Sequence, residues 1–146
     1  MLSRDQIQQY SEDGFLLLPE LVPEDILARL NKQFLDIVNG DHQCSGGMKI
    51  MRDVMVVKGA VEPQTPVHGV NKLFCLEDDP VLSGYAAFPG LLGCVQCLIG
   101  NEIYSLTSNV FNKPPQVDGK PPLHQDIRYF TMRPASSIVA SWTAMM

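Results

Sequence analysis

His124 and Asp126 stand two residues apart in the stretch PPLHQDIRYF, Pro121 to Phe130. In an extended segment, side chains two apart leave the same face. The imidazole and the carboxylate would then converge on one point, with Gln125 turned away. These are two of the three donors of a facial triad. Two histidines and one carboxylate hold Fe(II) and leave positions open for a chelating cosubstrate and O₂. Taken alone, a histidine and an aspartate at this spacing also fit an ordinary polar surface strand.

The elements that must position this pair divide unevenly along the chain. Ser3 and Gln6 form a capping box and Gly14 a stop, which predicts a helix over 4–13. Phe15 to Leu18 reads as a short strand ended by Pro19. In LVPEDILARLNKQFLDIVNG, Pro23 sits at a first helical position with acids behind it. Leu27, Leu30, Phe34 and Ile37 then recur at helical spacing until Gly40. MKIMRDVMVVK reads as strand, Asp79-Pro80 opens a short helix, and Phe88-Pro89 opens one that runs to Gly100. EIYSLTSNVF alternates, NKPPQVDGKPP is loop, and LHQDIRYFTM and SSIVASWTAMM are β-rich. Helices early and strands late predict an α+β fold, or a β-sandwich with helices packed outside it. The apolar run Ile138 to Met146 reads as an open-edged terminal strand, which points to a sequence cut short rather than one that pairs internally.

Composition narrows the class. At 146 residues and 45% hydrophobic content the chain can build one modest core. A net charge of −5 argues against a general nucleic-acid or anionic-membrane binder. No apolar run approaches the roughly 20 residues needed to cross a bilayer. The start, MLSRDQIQQY, is too polar for a secretory signal, and SWTAMM is not an SKL-type address. Cys44, Cys75, Cys94 and Cys97 therefore suit a reducing compartment. Cys94 and Cys97 form a CxxC inside an apolar helix and read as core thiols; no second pair exists to complete a zinc site.

Several short motifs accompany the histidine–aspartate pair in order: YSEDGF (10–15), MRDV (51–54), NKPP (112–115), RP (133–134) and IVASWTAM (138–145). Together with PPLHQDIRYF, this series resembles the phytanoyl-CoA dioxygenase family, colinearly from about Gln6 to the last residue. The resemblance implies a double-stranded β-helix, a cupin-like jelly-roll with N-terminal helices buttressing it. In this chain it would be incomplete, a single partial domain over 1–146. It also implies Fe(II) and 2-oxoglutarate, with ascorbate as a candidate reductant. The implied reaction is hydroxylation at C2 of a 3-methyl-branched acyl-CoA in peroxisomal fatty-acid α-oxidation. By position, His124 and Asp126 match iron ligands of the family. Lys72, Gln125 and Trp142 match positions around the 2-oxoglutarate pocket, and Asn109 matches one that is usually methionine. The family's second metal-binding histidine and its carboxylate-gripping arginine lie downstream of Met146. His42 and His68 come too early to replace that histidine and read as loop residues.

Plainer local readings stand beside these. Trp142, Tyr129 and Phe130 could be strand core, or the two latter an aromatic wall beside an acyl chain. Lys72 could be a solvated surface lysine, and Arg52–Asp53 a local ion pair. Lys49, Arg52 and Lys58 are scattered candidates for coenzyme A phosphates. The resemblance points to the peroxisome; the chain shows no address, and a cytoplasmic location is the alternative. The oligomeric state is not set by the sequence. With two protein ligands and no arginine clamp, the isolated chain is expected to be inactive. A noncatalytic truncated product that pairs through its open strand is the competing reading, and a cupin-like module for another divalent ion is a third.

Overall fold

The computed structural model describes residues 1–44, 46–115, 117, 123–130, 134 and 139–145. Four α-helices and a three-stranded antiparallel sheet are found among them, an α+β arrangement. The helices are α1 (Arg4–Asp13), α2 (Glu24–Asn39), α3 (Val54–Val57) and α4 (Pro89–Ile99); the strands are β1 (Lys49–Arg52), β2 (Val70–Phe74) and β3 (Asn109–Phe111).

Local signals set the helix ends. The Ser3 hydroxyl accepts from the Gln6 N–H at 3.2 Å, and the Gln6 side chain accepts from the Ser3 N–H at 2.9 Å. Gly14 ends α1 in the left-handed conformation, φ 77°, where a side chain would be strained. α2 begins at Glu24, so Pro23 is its N-cap rather than its first helical residue. The apolar stripe of α2 buries Leu30, Phe34, Ile37 and Val38. These join Met48, Val70, Leu73, Leu76 and Leu82 in one core cluster. α4 buries Leu91 and Cys94, while the Cys97 thiol, half-buried, donates to the Gly93 carbonyl. All four cysteines are free, and Cys44 and Cys75 are exposed. Among the described residues no helix is long and apolar enough to cross a membrane.

The sheet order is β1-β2-β3. Ile50, Leu73 and Val110 stand opposite one another, as do Met51, Lys72 and Phe111. The first row packs into the core; the second faces the other way, half-buried or exposed. β2 lies in VNKLF, a run that shows no strand alternation of its own. It becomes the central strand because β1 and β3 supply ladder partners on both edges.

Several sequence expectations change for identifiable reasons. Phe15 to Leu18 forms no strand, having no ladder partner; Phe15 and Leu17 are exposed. MKIMRDVMVVK pairs only through Arg52. The Asp53 carboxylate then accepts from the Met55 N–H at 2.8 Å and starts α3. Asp53 is thus a buried cap and not an ion-pair partner of Arg52, whose guanidinium donates to the Pro66 carbonyl at 3.3 Å. Only 109–111 of the alternating EIYSLTSNVF run pairs. Asp79-Pro80 opens a turn and then a 3₁₀ turn at Ser83–Tyr85. In LHQDIRYFTM, Gln125 is extended, but Asp126–Arg128 is a single 3₁₀ turn. Val139–Met145 carries no strand; 136–138 and Met146 lie outside the described residues.

Asp79 holds the loop behind the sheet. Its side chain is fully buried and accepts from the Val81 and Leu82 N–H groups at 3.0 and 2.8 Å and from the Gln33 amide at 2.8 Å. One carboxylate therefore ties α2 to the turn that carries Leu82 into the core. Asp79→Ala would strand three donors and should lower the unfolding free energy in urea by about 3 kcal/mol. Asp79→Asn should cost less, since its amide oxygen still accepts from the turn.

Candidate functional site

His124 and Asp126 do converge, though through a turn and not a strand. Gln125 is extended (φ −112°, ψ 126°) and Asp126 begins the 3₁₀ turn, which brings His124 Nε2 to 3.2 Å from Asp126 Oδ1. Both side chains are close to half exposed. The Tyr129 ring meets the imidazole edge-on, with centroids 5.5 Å apart and planes at 86°. Tyr129 is 71% exposed, so it is a flank of His124 rather than strand core. Leu123, Gln125, Arg128 and Tyr129 surround the imidazole in a shallow hollow of about 580 Å³. Gln125 thus lines the same hollow as His124, where strand alternation predicts it turned away.

This donor set can be tested for fit to a metal ion. Two donors about 2.1 Å from an octahedral ion, at right angles to each other, stand about 3.0 Å apart. The observed nitrogen–oxygen separation is close to that, and the N,O chemistry suits a divalent ion of the Fe(II) type. A direct imidazolium–carboxylate ion pair has a similar spacing. Among the described residues no third histidine, cysteine or acid joins the two. His68 is committed elsewhere. Its Nδ1 accepts from the Gln64 N–H at 3.1 Å and its Nε2 reaches the Pro115 carbonyl at 3.0 Å. It lies in a 3₁₀ turn, Val67–Gly69, and there ties the NKPP loop to the sheet. The Asn112 amide does the same, donating to the Val67 and Val70 carbonyls at 2.7 and 3.0 Å. His42 lies in a loop, 4.0 Å from buried Asp79.

A second group forms on the outer face of the sheet. The Lys72 ammonium sits 5.2 Å from the Phe74 ring centroid and 5.3 Å from that of Phe111. Trp142 lies against Phe111 at 5.7 Å and is 75% exposed, so it is not core. Asn109 stands opposite Phe74 on β3, also exposed. Lys72, Asn109 and, through Phe111, Trp142 therefore share the outer face of β2–β3, while His124 and Gln125 line the hollow, whose described walls include none of the first three. Sequence reasoning passes over Phe74 and Phe111. The signal that finds them is strand pairing, which puts Phe111 directly across from Lys72 and Phe74 two residues along.

Trp142 also borders an apolar groove of about 1030 Å³, between the 15–23 segment and α4. Leu17, Leu27, Leu91, Val95 and Leu98 line it. A hydrogen bond between Tyr85 and Ser141, 3.1 Å, fixes the segment that carries Trp142 to this groove.

The fold and this pair of groups describe an α+β protein with a paired N,O donor set on a turn. The family profile for phytanoyl-CoA dioxygenase matches residues 10–146, and the chain belongs to that family. It is 36% identical over 148 residues to the Bos taurus protein named phytanoyl-CoA dioxygenase, peroxisomal, covering 99% of this chain and 43% of that one. It is 34% identical over 148 residues to the Homo sapiens protein of the same name, with the same coverage. A Caenorhabditis elegans protein named probable phytanoyl-CoA dioxygenase is 34% identical over 151 residues, covering 99% of this chain and 48% of that one. The chain thus spans less than half the length of these relatives.

If the pair ligates a metal, His124→Ala and Asp126→Ala should each weaken Co(II) binding at least about tenfold, since changes outside the ligand shell alone cost about 10–100-fold. Calorimetric titration of Co(II) into each variant checks this. His68→Ala should leave the affinity unchanged. No Co(II) uptake by the unsubstituted chain would reduce the pair to a simple ion pair.

Proposed function

We propose that the chain carries part of the active site of an Fe(II)- and 2-oxoglutarate-dependent dioxygenase. It would hydroxylate a branched-chain acyl-CoA at C2 in fatty-acid α-oxidation. Its 146 residues would form a single partial domain, an incomplete double-stranded β-helix of the cupin-like kind. The single observation that carries the reading is the 3.2 Å approach of the His124 and Asp126 donors, in a chain of the phytanoyl-CoA dioxygenase family. Because the matched relatives in Bos taurus and Homo sapiens are named peroxisomal, the proposed compartment is the peroxisome. Ascorbate is proposed as a reductant for the iron.

Bound Fe(II) and 2-oxoglutarate supply the O₂-dependent oxidising power; the protein binds, orients and shields. His124 and Asp126 would hold the ion. The Tyr129 edge limits rotation of the imidazole. Gln125 and Arg128 supply polar and positive groups to the same hollow. Lys72 takes a carboxylate of the cosubstrate, with Asn109 and Trp142 at its border. The apolar groove beside Trp142 has the character of an acyl-chain site. Among the described residues the metal would find these two donors and no third. That number holds iron more loosely than three, so the chain alone is proposed to bind without turning over.

A second reading is favoured by β3, a strand of three residues that is an edge of the sheet among the described residues. Such an edge can add a strand from another protein, and the chain would then act as a noncatalytic pairing module. A discrete, soluble, iron-free oligomer would mark it.

The test is anaerobic calorimetry with Fe(II) and 2-oxoglutarate. Each should raise the affinity of the other for the chain by an equal factor, and His124→Ala should abolish the coupling. If 2-oxoglutarate binds no better with Fe(II) than without, the dioxygenase reading falls. In air, succinate release should not exceed that of free iron. Succinate that depends on both chain and acyl-CoA would instead show a site competent by itself.

A further inference from the structure

We infer that Phe74 and Phe111 are positioning residues that hold the Lys72 ammonium as a fixed anchoring point for a dicarboxylate, with Trp142 backing Phe111. For the identity of the anion, 2-oxoglutarate, the inference rests on the function proposed above.

The register builds the bracket. Lys72 and Phe111 are directly opposed across β2–β3, and Phe74 follows two residues later on the same face. The ammonium stands 5.2 and 5.3 Å from the two ring centroids, inside the range where the negative face of an aromatic ring attracts a cation. Trp142 lies against Phe111 with centroids 5.7 Å apart and planes at 30°, a contact that restrains that ring. Lys72 is half-buried. Among the described residues no carboxylate pairs with it and no hydrogen bond engages its ammonium.

A lysine that serves only solubility keeps its ammonium in water and its stem mobile. Here the ammonium stands near two rings that accept no hydrogen bond as strong as an oxygen would. The ammonium carries three donors, and the rings satisfy its charge without consuming them. Charge is therefore oriented but its hydrogen-bonding capacity is unspent. Restraining a long, flexible side chain in advance reduces the entropy lost when an anion arrives. Asn109, exposed on β3 opposite Phe74, stands at the same end of the sheet.

Trp142 is the chain's single tryptophan, so its fluorescence reports on this bracket without a label. The experiment titrates 2-oxoglutarate and, separately, glutarate into the full chain, following Trp142 emission and confirming by calorimetry. Glutarate has both carboxylates but lacks the keto group that would chelate a metal. The variants are Phe111→Leu, Phe111→Tyr, Phe74→Leu, Lys72→Met and the double variant Lys72→Met/Phe111→Leu. Phe111→Leu and Phe74→Leu should each weaken both dicarboxylates about two- to fivefold, the range of an exposed cation–π contact. Phe111→Tyr keeps the ring face and should restore native affinity. In the Lys72→Met background, Phe111→Leu should have no further effect, because its influence passes through the ammonium.

Equal losses from Phe111→Leu with and without Lys72 would overturn the inference, since Phe111 would then act by packing alone. Native affinity in Phe111→Leu would overturn it as well, and so would failure of the unsubstituted chain to bind either dicarboxylate. A bracket-dependent affinity for both ligands, with no gain for 2-oxoglutarate when Fe(II) is added, would uphold the anchoring point and defeat the dioxygenase reading.

Discussion

Leu73 is fully buried between Ile50 and Val110, and that burial fixes the register of β2. Side chains alternate along a strand, so one apolar residue pinned in the core dictates where its neighbours go. Lys72 and Phe74 must leave on the opposite face. Phe111 must meet Lys72, because Val110 is held by Leu73. A slip of one residue would drive the ammonium into the core and turn Leu73 to water. The arrangement of charge and rings on the outer face is thus a by-product of the hydrophobic order inside. α2 matters for the same reason: Phe34 and Ile37 close the core from the other side.

The donor pair has a different origin. His124 and Asp126 meet because the backbone bends at Asp126, not because a sheet presents them. In that respect the sequence yields the right convergence through the wrong element. Spacing alone cannot distinguish an extended segment from a segment that turns at its third residue, since both can bring two side chains together. What decides is whether a ladder partner exists, and that is a property of distant chain.

Other parts of the molecule were legible to the degree that their causes are local. Ser3, Gln6 and Gly14 mark both ends of the ten-residue α1, and the α2 stripe lies in one periodic run. The central strand was not legible, since VNKLF is short and becomes a strand only through β1 and β3. Phe15 to Leu18 failed in the opposite direction: the pattern is strand-like but nothing pairs with it. Arg52 and Asp53 look like an ion pair in sequence, yet each is drawn to the backbone, one to Pro66 and the other to Met55. A buried cap satisfies a carboxylate better than an exposed cation does. For the candidate site, the motif series marked His124, Asp126, Lys72 and Trp142, while the rings that brace Lys72 emerge only once strands are paired. Trp142 and Tyr129 proved too exposed to be core, and hydropathy gives no means of telling a packed aromatic from one that lies over a neighbouring ring.

Cys75 leaves β2 at a left-handed φ of 59°, directly after Phe74, and its thiol faces solvent. Cys44 is exposed too. In air, two copies of the chain can therefore become joined covalently through sulfur without any contact between their sheets. A band at twice the mass would then record oxidation during handling. Association through the β3 edge has a distinct signature: it survives dithiothreitol and disappears when the strand edge is blocked.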